Sequence, residues 1–440
     1  MARAASSKTL ARNALDRTIA SKIIRQWPDN NNNSRVRGTS TVAPKDTASS
    51  AADNAADSAT PDYNEVAVQL HRKFGGKMAT ALRHEGDVTR HELSAYYTPG
   101  VGHISSLVAE DPSRLREFTW TNNLVAVISD GSAVLGLGDI GPAGAMPVME
   151  GKALLFKHFA GLDSVPIVLD CDSTEEIIET IQRIALSFGA INLEDFAAPQ
   201  CFEIEDTLIE TLPIPVFHDD QHGTAIVVLA ALINACKIVN RDMNDMRMVI
   251  AGIGAAGTAT ARLIKEYAPG AGIIGTGRNG TLSLEDTSLN AAKQALLEEG
   301  VLDDTPNMSL ADAMVDADVV IGLSAPGIIT PDMVASMAKD PIVMALSNPI
   351  PEIYPDLARA AGAAVVCTGR SDFPNQVNNA LAFPGIFRGA LDNKVPQITM
   401  QHKLAVAKAL ASFVDKPNPD KVIPSIFEEG LSDAVAKVIT

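Results

Sequence analysis

The chain has 440 residues, 36 Lys and Arg against 53 Asp and Glu, a formal net charge of −17, and 46% hydrophobic residues. That apolar content excludes wholesale disorder, and so acidic a chain argues against nucleic acid or membrane as partner, because phosphate binding needs clustered Lys and Arg. The length predicts two or three domains, and four scattered cysteines without a Cys-x-x-Cys pair predict neither a disulfide frame nor structural zinc.

Residues 1–45 are basic, with Arg3, Arg12, Arg17, Arg25, Arg35 and Arg37 set among Ser, Ala and Asn, and 46–61 is rich in Ala, Ser, Asp and Thr. The stretch 1–62 reads as a disordered basic leader, with a short helix near 7–26. A transit peptide has this bias, yet Asp16 and the Asn run 30–33 fit one poorly. A bacterial extension or an upstream start codon fits better. The expected location is cytoplasmic, with a mitochondrion or related organelle as the alternative if the leader is a transit peptide.

From Tyr63 onward short apolar runs alternate with helical segments. Strands are predicted at 124–128, 166–169, 190–193 and 215–217, and helices at 174–186, 207–212 and 224–239. A second series of strands follows at 246–251, 273–274, 319–323, 342–346 and 364–367. The alternation predicts an α/β protein with two domains built on parallel sheets. The polar segment 240–245 divides them into 63–240 and 241–440. The longest uninterrupted apolar stretch, near 225–233, is well short of the roughly 18 residues a membrane helix needs.

In the first domain, Glu194 and Asp195 follow one predicted strand, and Asp219 and Asp220 follow the next. Strand ends of parallel sheets form ligand crevices, so these acids either converge around a cation or serve as N-caps and surface acids. All-oxygen ligation suits Mg²⁺ or Mn²⁺. His218 and His222 are four apart, like the zinc ligands of a protease helix, but the prolines and strand ahead predict a strand-to-loop transition there, which argues against zinc. Gly151-Lys152 lacks the following Ser or Thr of a phosphate loop. Lys152, in a segment entering an apolar helix, is a candidate base if burial lowers its pKa, and Tyr97 is a candidate general acid. A solvated Lys and a packing Tyr are the plain alternatives.

The second domain opens with Gly252-Ile253-Gly254-Ala255-Ala256-Gly257 between a strand and a helix, the Gly-x-Gly-x-x-Gly context of a Rossmann-type dinucleotide site. Where an acid commonly binds the adenosine ribose, this chain has Thr276, Gly277 and Arg278 instead. Arg278 and Thr276 suit a 2′-phosphate, which leans the cofactor from NAD to NADP.

Taken in order, these segments closely resemble malic enzyme in its short bacterial form. The likeness is carried by Tyr97-Thr98-Pro99-Gly100-Val101, Gly136-Leu137-Gly138-Asp139, Met149-Glu150-Gly151-Lys152, Asn192-Leu193-Glu194-Asp195, His218-Asp219-Asp220-Gln221-His222-Gly223-Thr224, the 252–257 turn, Ser347-Asn348-Pro349 and Asn378-Asn379. The resemblance implies divalent-metal-dependent oxidative decarboxylation of L-malate to pyruvate and CO₂ with NAD(P). It implies Lys152 as base, Tyr97 as acid, and Asp219 as the residue tuning Lys152. It implies Glu194, Asp195 and Asp220 as metal ligands, Asn348 at nicotinamide or substrate, Asn379 at substrate, and a homodimer with Tyr97 near a subunit boundary. The rival readings are a malolactic enzyme, releasing lactate with bound NAD, and a catalytically silent dinucleotide-binding relative. One departure concerns the substrate C1 carboxylate: Ser132-Ala133 stand where longer family members carry an Arg.

Overall fold

Two sets of β-branched and aliphatic runs seed two sheets in the computed structural model, which describes residues 63–134 and 136–440. The first sheet comprises β1 (Leu124–Ser129), β2 (Asp163–Val168), β3 (Ala190–Leu193) and β4 (Val216–His218), all parallel in the order β2-β1-β3-β4. Every residue of β1 is buried, as expected of a central parallel strand covered on both faces. The covering helix Gly141–Ala160 starts earlier than the sequence suggested. Pro142 in its first turn needs no hydrogen-bonded N–H and has its φ preset, so Lys152 lies mid-helix rather than at an entrance. Gly161, with φ of 64°, ends it in the left-handed conformation. The helix Thr174–Ile184 is capped by Ser173, whose hydroxyl accepts from the Glu176 N–H, and it buries Ile177, Ile178 and Ile181.

The second sheet comprises β5 (Arg247–Ala251), β6 (Gly272–Gly277), β7 (Gly280–Thr281), β8 (Val319–Gly322), β9 (Ile342–Ala345) and β10 (Val365–Thr368). Its order is β10-β9-β8-β5-β6-β7, parallel except for the short β6–β7 pair. Counted from β5, this is the 3-2-1-4-5-6 order of a Rossmann sheet, and the order reverses between β5 and β8, where a dinucleotide crevice forms.

The helix Asp219–Val239 joins the two sheets. Residues 225–236 are buried without a break, in a core that also takes Val125 and Val127 from β1 and Met248 and Ile250 from β5. Each fully buried Val, Leu or Ile contributes roughly 1.5–3 kcal/mol, so this helix is a principal tie between the halves. It has 21 residues, and an 18-residue window of it has a mean hydropathy of 1.8, long and apolar enough to cross a bilayer, but 72% of that window is buried inside the fold. Residues 78–440 form one compact unit. The helix Tyr63–Phe74 belongs to another and buries no residue. The expected leader and its short helix lie outside the described residues.

Candidate active site

β3 and β4 are neighbours, with Leu193 opposite His218, so the residues that follow them leave adjacent strand ends. Glu194 and Asp195 continue from β3, while Asp219 and Asp220 open the helix after β4. Lys152 reaches this edge from the helix Gly141–Ala160. Its Nζ donates to Asp219 Oδ2 at 2.6 Å, pairs with Glu194 Oε1 at 2.7 Å, and stands 4.4 Å from the centre of the Phe383 ring. The second Glu194 oxygen accepts from Asn192 Nδ2 at 2.8 Å. Lys152, Glu194 and Asp219 are all buried.

Asp195 adopts φ of 57°, a left-handed conformation that Asp tolerates better than most residues but that still needs support. Its N–H donates to Asp220 Oδ2 at 2.7 Å, and its carbonyl accepts from the Ala133 N–H at 2.9 Å. Ser132 Oγ accepts from the Ala197 N–H and donates to Asp130 Oδ1. Ser132 and Ala133 thus brace the turn that carries Asp195. One oxygen each from Glu194, Asp195 and Asp220 lies within 4.8 Å of the other two. Three hard oxygen donors so close, on largely buried residues, fit Mg²⁺ or Mn²⁺.

Charge balance points the same way. Burial opposes the Lys152 charge, but Asp219 and Glu194 more than offset it and hold its pKa above the ordinary lysine value. The expected lowering is therefore corrected: two buried carboxylates touch this ammonium, and it is cationic in this state. Glu194 is pushed well up by burial and by the charges of Asp220, Asp219 and Asp195, which Lys152 only partly offsets. Four carboxylates around one ammonium leave an excess of negative charge that a cation would relieve.

The histidines take other parts. The helix begins at Asp219 itself, not after a loop as the sequence suggested, so His222 sits on its first turn and His218 just ahead of it. His222 Nε2 is 2.9 Å from Glu205 Oε2, and Gln221 Nε2 donates to the same oxygen at 2.9 Å. Glu205 Oε1 accepts from the His218 N–H at 2.9 Å. Burial raises the Glu205 carboxyl, but the His222 ring, its hydrogen bond and the Lys403 charge bring it down to about 2. Burial lowers the His222 pKa against the pull of Glu205, and Nε2 donates to the carboxylate, which can only accept. The His218 ring is buried with neither nitrogen hydrogen-bonded. His222 is thus engaged by Glu205, and the cluster of potential metal ligands among the described residues comprises Glu194, Asp195 and Asp220 with neither histidine.

Sequence reasoning missed Glu205. In the helix Gln200–Thr211 the buried positions are Cys201, Ile204, Glu205 and Leu208, so a carboxylate on the apolar face was the available signal.

The dinucleotide turn follows β5. Gly252 has φ of 110°, and a Cβ there would meet Leu323 O at 2.5 Å. A Cβ on Gly257 would collide with the Gly252 carbonyl, whereas one on Gly254 would meet nothing within 4 Å. These are the tight-turn, close-packing and ligand-approach positions of a dinucleotide fingerprint, and Ala255, Ala256 and Gly257 form the first turn of the helix Ala255–Tyr267. Thr276 is buried, its carbonyl accepting from the Gly252 N–H at 3.0 Å, so its side chain is turned from solvent. Arg278 is exposed and lines a cavity of about 750 Å³ together with Asn279, Ser283, Asn290, Lys293 and Asn307. Of the two candidates for a 2′-phosphate, only Arg278 is presented outward. Buried Glu352 accepts from the Ser324 and Ser347 N–H groups at 2.9 and 3.0 Å, tying the ends of β8 and β9 together.

The two sheet edges face each other. Ala255 packs against the core cluster containing Leu193 and Phe196. A Cβ on Gly136 would collide with the Asn348 carbonyl, and one on Gly223 would touch Asn379 Cβ at 3.0 Å and collide with Asp219 Oδ1. Asn379 thus lies beside the acid cluster and Asn348 beside the Gly-rich loop of the first domain. Tyr97 is 67% exposed and caps the helix Arg90–Tyr96, its N–H donating to the Leu93 carbonyl.

A Rossmann sheet facing a lysine and a nest of carboxylates defines a nucleotide-dependent α/β protein with a candidate hard-metal centre. The chain belongs to the malic enzyme family. Residues 80–209 match the malic enzyme N-terminal domain and residues 221–439 its NAD binding domain. The chain is 52% identical over 371 residues to an NAD-dependent malic enzyme of Geobacillus stearothermophilus, covering 83% of this chain and 76% of that one. It is 44% identical over 376 residues to an NADP-dependent malic enzyme of Halomonas elongata, covering 85% and 88%. The crystal structure of an NAD-dependent malic enzyme from Thermotoga maritima matches with a TM-score of 0.81 at 44% identity, covering 85% of this chain and 98% of that one.

Proposed function

We propose that the chain oxidatively decarboxylates L-malate to pyruvate and CO₂ while reducing NAD(P)⁺. The observation that carries this reading is Lys152 Nζ, 2.6 Å from Asp219 and 2.7 Å from Glu194, beside the three-carboxylate cluster. Lys152, once it has passed its proton to Asp219 or solvent, accepts the proton of the malate C2 hydroxyl as hydride leaves C2 for nicotinamide C4. Asp219 keeps the lysine aimed. Loss of CO₂ from C4 leaves its electron pair on the C2–C3 enolate, and Tyr97 returns a proton to C3. Glu194, Asp195 and Asp220 would hold Mg²⁺ or Mn²⁺, which when bound supplies Lewis acidity to the substrate oxygens. Asn348 and Asn379 contact nicotinamide or substrate.

We read the chain as divided at residues 240–241 into a substrate and metal domain and a dinucleotide domain. Gly252, Gly254, Ala255, Ala256 and Gly257 cradle the pyrophosphate. Arg278 faces the adenosine 2′-phosphate, favouring NADP. The working form is a homodimer acting inside the cell.

The test is an assay with L-malate, Mn²⁺ and either nucleotide, following reduced-nicotinamide absorbance and measuring pyruvate. A stoichiometric rise in both is expected. Lactate without an absorbance rise would mean malolactic chemistry, and no product a silent relative. Arg278→Asp is expected to lower the NADP:NAD selectivity ratio, and an unchanged ratio would remove Arg278 from cofactor choice.

A further inference from the structure

Three residues flank or adjoin the acid pair Asp219-Asp220: His218 before it, Gln221 and His222 after it. All three hand a donor to the same carboxylate. Glu205 Oε1 accepts the His218 backbone N–H, and Oε2 accepts from Gln221 Nε2 and faces His222 Nε2, each at 2.9 Å. Glu205 is 3% exposed and comes from a different helix, Gln200–Thr211. The first N–H groups of a helix have no intrahelical partner, and His218, the residue ahead of this helix, makes no side-chain cap. Glu205 instead holds the turn from outside, through the His218 N–H and the Gln221 and His222 side chains.

We propose that Glu205 is the positioning residue of the metal and base half-site: it fixes the β4-to-helix turn so that Asp220 faces Glu194 and Asp195 while Asp219 faces Lys152. The reasoning is geometric. Asp219 and Asp220 are consecutive residues with different partners, Lys152 at 2.6 Å and the Asp195 N–H at 2.7 Å. A small rotation of the first helical turn would misdirect both. Around the turn, His218, Gln221 and His222 are all anchored to one point. The three hydrogen-bond partners of Glu205 are all donors, so an amide in its place would set an N–H against at least one of them. Outer partners of this kind typically govern about 10–100-fold in metal affinity or activity.

This inference rests on the proposed metal set, so the experiment separates the two. Mn²⁺ binding to the full chain is measured by isothermal titration in Glu205→Gln and, as a control, in Asp220→Asn. Dinucleotide binding and thermal midpoint are recorded alongside. The expected result is a Kd for Mn²⁺ raised about tenfold or more in Glu205→Gln, with dinucleotide Kd changed less than about twofold. Unchanged Mn²⁺ binding in Glu205→Gln with loss in Asp220→Asn overturns the role of Glu205. Unchanged binding in both variants means that the metal-site reading itself fails. Equal loss of Mn²⁺ and dinucleotide binding in Glu205→Gln also overturns the role of Glu205, since that is the mark of general scaffold damage. Should Glu205→Gln not fold, Gln221→Met is read instead. It deletes one donor to the same oxygen, and a weakened or unchanged Mn²⁺ affinity decides in the same way.

Discussion

Lys152 and Asp219, 67 positions apart in the chain, are joined by a 2.6 Å hydrogen bond inside the protein. A lysine there is charged before substrate arrives, so its use as a base depends on the site drawing that charge away. Lys152→Ala is expected to lower kcat by about 10²–10⁴, the usual contribution of a positioned base. Asp219→Asn is expected to shift the alkaline or acidic limb of the kcat/KM profile as well as its height. Steady-state kinetics across pH check both, and a near-normal rate in Lys152→Ala would mean that another group is the base.

Tyr97 presents the opposite case. Its side chain is 67% exposed and buries little, so Tyr97→Phe is expected to leave the thermal midpoint unchanged. If it is the acid that protonates C3, the same variant loses about 10²-fold in kcat. Calorimetry and pyruvate formation measured on one preparation separate these outcomes. A stability loss without a rate loss would assign Tyr97 to packing.

The glycine turn distinguishes ligand space from packing space. Gly257→Ala sets a methyl against the Gly252 carbonyl, so both stability and dinucleotide binding should fall. Gly254→Ala meets nothing in the protein, so the fold should keep its thermal midpoint while dinucleotide affinity drops. Melting curves with and without NADP or NAD read both effects.

The pH dependence of stability should carry a signature of Glu205. Its pKa in the folded protein is about 2, below the ordinary 4.5, so it stabilises the fold above about pH 4.5. That contribution is lost as pH falls from about 4.5 toward about 2. Urea midpoints measured down through this range should decline in the parent protein and decline less steeply in Glu205→Gln.

Much of the molecule was legible from local pattern. The run 124–128 became β1 because a fully buried parallel strand needs unbroken apolar residues, and 190–193 became β3 with one buried polar residue, Asn192, whose amide is met by Glu194. The Gly-x-Gly-x-x-Gly spacing marked the turn after β5 because only glycine fits at Gly252 and Gly257. Boundaries were less legible. The helix Asp219–Val239 starts five residues before the apolar periodicity that announced it, since its first turn is polar and held by Glu205.

The sequence by itself thus determined the chemistry on offer: carboxylates at strand ends, one lysine near a glycine-rich stretch, and a dinucleotide turn. These follow from residue type and near-neighbour spacing. Only the tertiary structure decided which charges meet. It gave Lys152 two carboxylate partners and hence a raised rather than lowered pKa. It turned Thr276 inward and Arg278 outward, and it put Ser132-Ala133 under the Asp195 turn. A pKa and a coordination shell are set by atoms a few ångströms away. In a doubly wound fold those atoms come from segments tens of residues apart, where no local pattern reaches.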